Sequence, residues 1–356
     1  MRTPKYTITN LILNYIVKYE TSVKELKYNP LPEKYLKPLE EKYSALDIQK
    51  LGELVGNPIG YNQALKIQRG QEMPSQTKNF KLFTNFRNSK DFVKSYNNSN
   101  SLQPSIDLAS HINKLAMKGI VDDWDLSKVR NFSEKPNEIY DTWYKKRDFY
   151  PNLDIRNHFN DKFEWIQSNE DSNHRLIKLG ILLFEFIDKA PFLSGNQITA
   201  ILILEMLTKK YGYNPNNVIP FFASIENISE DILSAFKLSK SKLDLTTFLE
   251  AYLYAISLTI LDVTNEFKNT HSVKVQKRGS LELYLNPRQI QLLDYLSLNQ
   301  KVTRGKYAQI MGISFMTAYR DLMDMIEKKY LKAKGTGRGT FYVLTKEMTP
   351  KDDELI

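Results

Sequence analysis

Apolar residues recur at helical spacing along most of this chain. The recurrence is strongest over 173–188 (containing LIKLGILLFEFI) and 199–211 (TAILILEMLTKKY), two stretches separated by the short loop APFLSGN. Two strongly apolar helices joined so closely point to a mainly α protein. The same spacing predicts helices over 7–20, 32–52, 60–69, 77–95, 105–118 and 154–168, with two more inside 226–268. Asn29-Pro30 and Asn57-Pro58 supply turn breaks, and SYNNSNSLQPS (95–105) reads as a polar loop. Between 119 and 152 the pattern is irregular and rich in Trp and Tyr.

Composition narrows the chemistry. A chain of 356 residues with 42% hydrophobic content has room for two or three domains and a real core. The absence of cysteine excludes disulfides, thiolate metal sites and cysteine nucleophiles. The four histidines, His111, His158, His174 and His271, show no metal-ligand spacing, so no metal is expected. No apolar run approaches the roughly 18–20 residues that span a bilayer. ITNLILNYIV near the N-terminus is interrupted by Asn10 and Asn14 and reads as a core helix rather than a leader. The expectation is a cytoplasmic protein with no membrane partner.

The net charge of +9 is unevenly placed. Residues 286–346 carry eleven Lys and Arg against four acids, a local excess of +7, whereas 347–356 carries −3. The basic stretch also has an ordered pattern. PRQIQLLDYLSLN forms a first helix with Ile290, Leu293 and Leu296 on one stripe. KVT (301–303) suits a short strand, RGKYAQIM (304–311) a second helix, and Gly312 a sharp turn. Ser314 can cap a third helix, SFMTAYRDLMDMIEKKY. Two β-prone segments, Leu331–Lys334 and Gly339–Thr345, flank the turn GTGRG. This order is that of a winged helix, a small α+β module.

In such a module the start of the third helix enters the major groove. That makes Ser314, Phe315, Thr317, Ala318 and Arg320 the expected readers, and Lys332, Lys334 and Arg338 the phosphate contacts on the wing. The excess charge favours DNA as partner. Phe315-Met316 is apolar for a groove-facing surface, and winged helices also mediate protein contacts and dimerisation. A homodimer would suit paired half-sites.

The loop itself carries a resemblance. FIDKAPFLSGNQITAIL (186–202) resembles the signature of the Fic (Fido) family, H-P-F-x-x-G-N-G-R between two helices. Pro191, Phe192, Gly195 and Asn196 stand in place, and Thr199 and Ala200 fit the usual continuation. The resemblance implies a Fic-like helical bundle over 86–270, preceded by a helical extension (1–85). A linker (271–285), the winged helix (286–346) and an acidic tail (347–356) would follow. It also implies transfer of AMP from ATP to a protein hydroxyl. In that chemistry a histidine is general base, an acid holds Mg²⁺, and a Gly-Asn-Gly backbone and arginine hold the phosphates.

This sequence departs at those positions. Ala190 replaces the base, Ser194 the metal-holding acid, Gln197 the second glycine and Ile198 the arginine, while Ile201 fills a further often basic place. Loss of a general base alone costs on the order of 10²–10⁴ in rate. The family's inhibitory motif finds only a poor counterpart, Ser44-Ala45-Leu46-Asp47-Ile48, with its acid one place early. Asp188 and Glu185, one turn before the loop, are expected to be solvated or capping rather than a relocated base. Trp124, Trp143 and Trp165 are expected in the core or packed under a flap. The expectation is therefore an inactive Fic-like protein that binds DNA through its winged helix and needs no cofactor. Two alternatives stay open. One is a nucleotidyltransferase with a substituted site, using ATP and Mg²⁺ and binding nucleotide through Gly195, Asn196 and Gln197. The other is a scaffold holding a protein partner in the Fic groove.

Overall fold

The computed structural model describes residues 5–28, 31–71, 77–96, 103–131, 134–136, 143, 154–169, 171–276, 285–299, 301–335 and 337–345. They fall into two compact units, Met1–Phe267 and Lys268–Ile356. The first unit is helical: α1 (Asn10–Tyr28), α2 (Glu33–Leu54), α3 (Tyr61–Gln68), α4 (Lys78–Ser95), α5 (Ile106–Met117), α6 (Ile155–Gln167), α7 (Arg175–Lys189), α8 (Asn196–Lys210), α9 (Phe221–Glu226), α10 (Ser229–Lys242) and α11 (Thr246–Gln276), whose last turns pass into the second unit. The two strongly apolar segments are its centre. α7 is buried from Leu176 to Ile187 and α8 from Asn196 to Thr208, so neither helix shows the polar face of a surface helix. α8 packs against α4, α5, α7 and α9. Phe159 and Phe186 join α6 to α7, and Phe184 stacks with Phe236 and Phe248 of α10 and α11.

The N-terminal helices are integral to this core. Tyr19 is fully buried and donates to the Tyr213 carbonyl (3.0 Å), and Asp47 accepts from the Ala223 N–H (2.9 Å) at the start of α9. Asp47 also meets Lys90 of α4, which reaches Glu205 of α8 at 2.9 Å, all three enclosed. Burial pushes the Asp47 carboxyl up, to about 6, with Glu205 adding to the push and Lys90 opposing it.

Several elements differ from the sequence pattern, and α1 runs to Tyr28 where the expected helix ends at 20. α8 begins at Asn196 rather than 199, because the Asn196 side chain ties back to the loop and Thr199 N–H donates to the Gly195 carbonyl. α9 lies where no helix was expected, and α11 continues to Gln276, inside the stretch expected as linker; residues 277–284 lie outside those described. α11 is also long and apolar enough over Thr246–Lys268 to cross a membrane by length and composition, but half of that stretch is buried inside the protein.

The second unit is a small α+β piece: α12 (Pro287–Leu298), α13 (Arg304–Met311), α14 (Phe315–Glu327), β1 (Leu331–Lys334) and β2 (Phe341–Leu344). Asn286 and Gln289 form a capping box on α12, and Thr303 and Ser314 cap α13 and α14. Gly312 ends α13 at φ 61°, a conformation that costs glycine nothing. β1 and β2 pair antiparallel, Leu331 opposite Leu344 and Lys334 opposite Phe341. Val302 forms an isolated antiparallel bridge with Tyr342 where the sequence pattern expects a short strand. The core is Leu292, Leu293, Leu296, Tyr307, Leu322, Met325 and Tyr330, whereas Ile290 is partly exposed. Asp321 enters that core against the Arg288 guanidinium (3.0 and 3.2 Å), Asn286 Nδ2 (3.1 Å) and Tyr307 OH (3.1 Å).

Candidate functional site

The loop between α7 and α8 opens at Ala190, the cap of α7, in the left-handed region at φ 45° and ψ 75°. An alanine there costs roughly 1–2 kcal/mol, so its surroundings must hold it. Ala190 N–H donates to the Phe186 carbonyl (3.0 Å), and its own carbonyl accepts from Arg130 Nε (2.9 Å). The same guanidinium donates to the carbonyls of Lys189 (2.6 Å) and Glu134 (2.5 Å). Arg130 N–H donates to the Pro191 carbonyl (2.8 Å), and Val129 forms an antiparallel bridge with Phe192. The segment around Val129 and Arg130 is thereby laced to the start of the loop.

The middle of the loop is held from within. Asn196 Oδ1 accepts from Phe192 N–H and its Nδ2 donates to the Phe192 carbonyl, both at 2.8 Å. Asn113 Nδ2 donates to the Ser194 carbonyl (2.8 Å) and to Thr199 Oγ1 (3.0 Å). Gly195 sits at φ 73°, and a Cβ on it would lie 2.6 Å from Met117 Sδ, so only glycine fits. Gln197 Nε2 donates to Glu226 Oε1 at 2.6 Å, both side chains buried.

Every residue from 190 to 201 is buried. At the expected base position Ala190 is enclosed, Ser194 is buried with its carbonyl engaged, and Ile198 and Ile201 belong to the core. Gly195, Asn196 and Gln197 stand together at the start of α8, and the Glu226 carboxylate lies against the Gln197 side chain. A negative group beside backbone N–H donors competes with a phosphate. Among the described residues, no group of three His, Asp or Glu is placed to hold a metal. A cleft of about 250 Å³ lies elsewhere, lined by Tyr43, Gln49, Lys50, Ser224, Thr259 and Asp262 among others, and by nothing from 190–201.

The acids preceding the loop are neither solvated nor capping. Glu185 meets His158 Nε2 (2.9 Å) and Lys162 Nζ (2.8 Å). Burial pulls its carboxyl upward, but the His158 hydrogen bond and the Lys162 charge outweigh it and hold it down, at about 2. Asp188 pairs with Lys189 and Lys240, both at 2.5 Å. A carboxylate held ionised by close cations is a poor proton acceptor. Of the tryptophans, Trp143 is buried and Trp165 donates to Asp171, but Trp124 is exposed, contrary to expectation.

In the second unit the expected readers separate. Phe315 and Met316 are each 62% exposed, and Arg320, Lys332 and Lys334 are exposed as well. Ala318 is fully buried beneath α14 and cannot face a groove, because it shares the inward face with Asp321, Leu322 and Met325. Ser314 and Thr317 bond each other through their hydroxyls (2.9 Å) while Ser314 caps the helix through Thr317 N–H (3.1 Å). Arg338 lies in the turn between the strands. Two further residues belong to this face. The Arg304 guanidinium lies over the rings of Phe315 (5.8 Å) and Tyr319 (5.9 Å), and Tyr319 is itself exposed. The signal for Tyr319 is present in the 3.6-residue spacing of 312–320, which puts Phe315, Met316 and Tyr319 side by side, whereas Arg304 on the preceding helix has no local signal.

No protein-family model matches the chain, and none of the curated proteins matches it. Solved structures do. A Fic family protein from Desulfovibrio desulfuricans G20 superposes over 97% of this chain and 99% of its own, with a TM-score of 0.59 at 16% identity. A variant of Fic-1 from C. elegans superposes over 73% of this chain and 72% of its own, with a TM-score of 0.55 at 14% identity. The chain has the Fic (Fido) fold, and the loop described above lies between its two central helices.

Proposed function

We propose that this chain is a Fic-fold protein that has given up group transfer and acts as a DNA-binding regulator through a winged helix at its C-terminal end. The observation that carries the first half is the occupancy of the loop: Ile198 and Ile201 are in the core, and Gln197 is bonded to Glu226. Side chains without charge or proton-accepting atoms at 190, 198 and 201 leave no base and no phosphate clamp. The second half rests on the exposed Arg320 at the start of α14 and the exposed Lys332 and Lys334 of the hairpin, together with the helix-turn-helix order of α13 and α14. The setting is cytoplasmic, the partner is duplex DNA bound by a homodimer, and neither ATP nor Mg²⁺ takes part.

Binding of the full chain to a mixed-sequence duplex, measured by fluorescence anisotropy over a salt series, tests the second half. The affinity should fall steeply with salt, and Arg320→Ala, Lys332→Ala and Lys334→Ala together should lower the slope by about 3. Absence of binding at low salt would overturn it. Incubation with α- or γ-labelled ATP and Mg²⁺ tests the first half. No protein should become labelled, and the melting temperature should not rise with ATP; transfer of label would overturn inactivity.

A further inference from the structure

We infer that the exposed start of α14 reads thymine C5-methyl groups in the major groove; this rests on the winged-helix proposal above. The outward residues of the first two turns are Phe315, Met316, Tyr319 and Arg320, while Ala318, Asp321 and Leu322 face the core. Phe315 and Met316 are each 62% exposed and Tyr319 is 42% exposed, three large side chains gathered on one helix face rather than scattered singly. The side-chain amides that pair bidentately with adenine are missing from it. No Asn or Gln lies between 314 and 320, the Ser314 and Thr317 hydroxyls share one hydrogen bond, and Arg320 is the charged donor on this face.

A surface of that kind selects its target by chemistry. Base edges in the major groove present donors and acceptors, with one apolar group among them, the thymine methyl. An aromatic ring and a thioether make close van der Waals contact with a methyl and leave no polar group unpaired. Charge commits the patch to a polyanion. α14 has no acid in its first turn, Arg304 lies across Phe315 and Tyr319, and Arg320, Lys332 and Lys334 are exposed. The cations would then meet phosphates and set affinity, while the apolar residues meet methyl groups and set sequence preference.

The test replaces the methyl without touching the protein. Full-length chain is titrated with a 30-base-pair A·T-rich duplex and with the same duplex carrying deoxyuridine in place of thymidine, at low salt. Binding to the thymidine duplex should be tighter by about fourfold for each methyl covered. In Phe315→Ala/Met316→Ala the ratio between the two duplexes should fall to near 1 with the salt slope unchanged. Restoring methyl groups elsewhere, with 5-methylcytosine in a G·C-rich duplex, should raise affinity for the parent chain and not for the variant. Equal binding of the parent chain to both A·T-rich duplexes would overturn methyl reading and leave the winged-helix proposal standing. Tighter binding to the single strand would overturn it in favour of base stacking. Failure to bind any duplex at low salt would remove the winged-helix proposal and the methyl reading with it.

Discussion

Lys90 and Arg320 are both long cations on helices, and their surroundings are opposite. Lys90 is enclosed between Asp47 and Glu205, with its ammonium over the Phe86 ring, whereas Arg320 stands on the open face of α14. The same contrast repeats across the two units. In the first, Lys162 pairs with Glu185, Lys178 with Asp171, and Arg130 is taken up by main-chain carbonyls. In the second, Arg304, Lys332 and Lys334 lie outside the core, and the partly exposed Arg288 pairs with the buried Asp321. A buried cation is tolerable only with dedicated partners, and those partners remove it from use toward a ligand. A cation left in water contributes little to stability but is free to displace counterions from a phosphate backbone. Net charge alone therefore says little about binding; its disposition says where binding can occur.

The largest effect expected from breaking this contrast is at Lys90. Lys90→Met leaves Asp47 and Glu205 buried without their cation, and unfolding in urea should show a loss of about 3–5 kcal/mol. A loss below about 1 kcal/mol would mean that water reaches the cluster and that the first unit is open at this point. Next in size is Asn196→Ala, which abandons the buried N–H and carbonyl of Phe192. Two unsatisfied groups should cost about 2–4 kcal/mol by the same measurement. Asn196→Asp sharpens it, since a carboxylate cannot donate to the Phe192 carbonyl.

The smallest effect is a pH dependence that belongs to the buried side alone. The folded-state value of Asp47, about 6, lies above its unfolded value of roughly 3.9. Its contribution to stability is therefore complete below the unfolded value and lost as pH rises through about 6. Parent chain and Asp47→Asn should be compared at pH 5 and pH 7.5. The stability of the parent relative to the variant should be greater at pH 5 by about 1 kcal/mol, and a flat difference would show that Asp47 does not titrate in this window. Alanine at Arg320, Lys332 and Lys334 should leave the melting temperature unchanged, even as the salt slope of DNA binding falls.

The helices that centre the fold were legible because α7 and α8 are apolar on all sides. The identities lost from the loop were equally legible, because the flanking Pro191-Phe192 and Gly195-Asn196 fix the register. What closes the loop was not. Arg130 lies sixty residues before Ala190 in an irregular stretch, and nothing local marks its guanidinium as a partner for carbonyls at the end of α7. α9 was missed for a similar reason. Six residues, FFASIE, show no period, and their first turn is held by Asp47 from a helix far back in the chain. In the second unit, Ala318 falls within a run of outward residues, yet it lies on the inward stripe it shares with Leu322 and Met325.

The lacing of Arg130 across the end of α7 has a consequence in time. Its side chain and main chain hold the carbonyls of Lys189, Ala190 and Pro191, and Val129 bridges Phe192. Fraying this loop one contact at a time gains little freedom, because each carbonyl released stays pinned by its neighbours. The amides of Ala190 and Phe192 should exchange with deuterium through an opening that takes the end of α7 and the segment around Val129 together, as one cooperative unit. The loop would thus be among the slower parts of its unit to meet solvent.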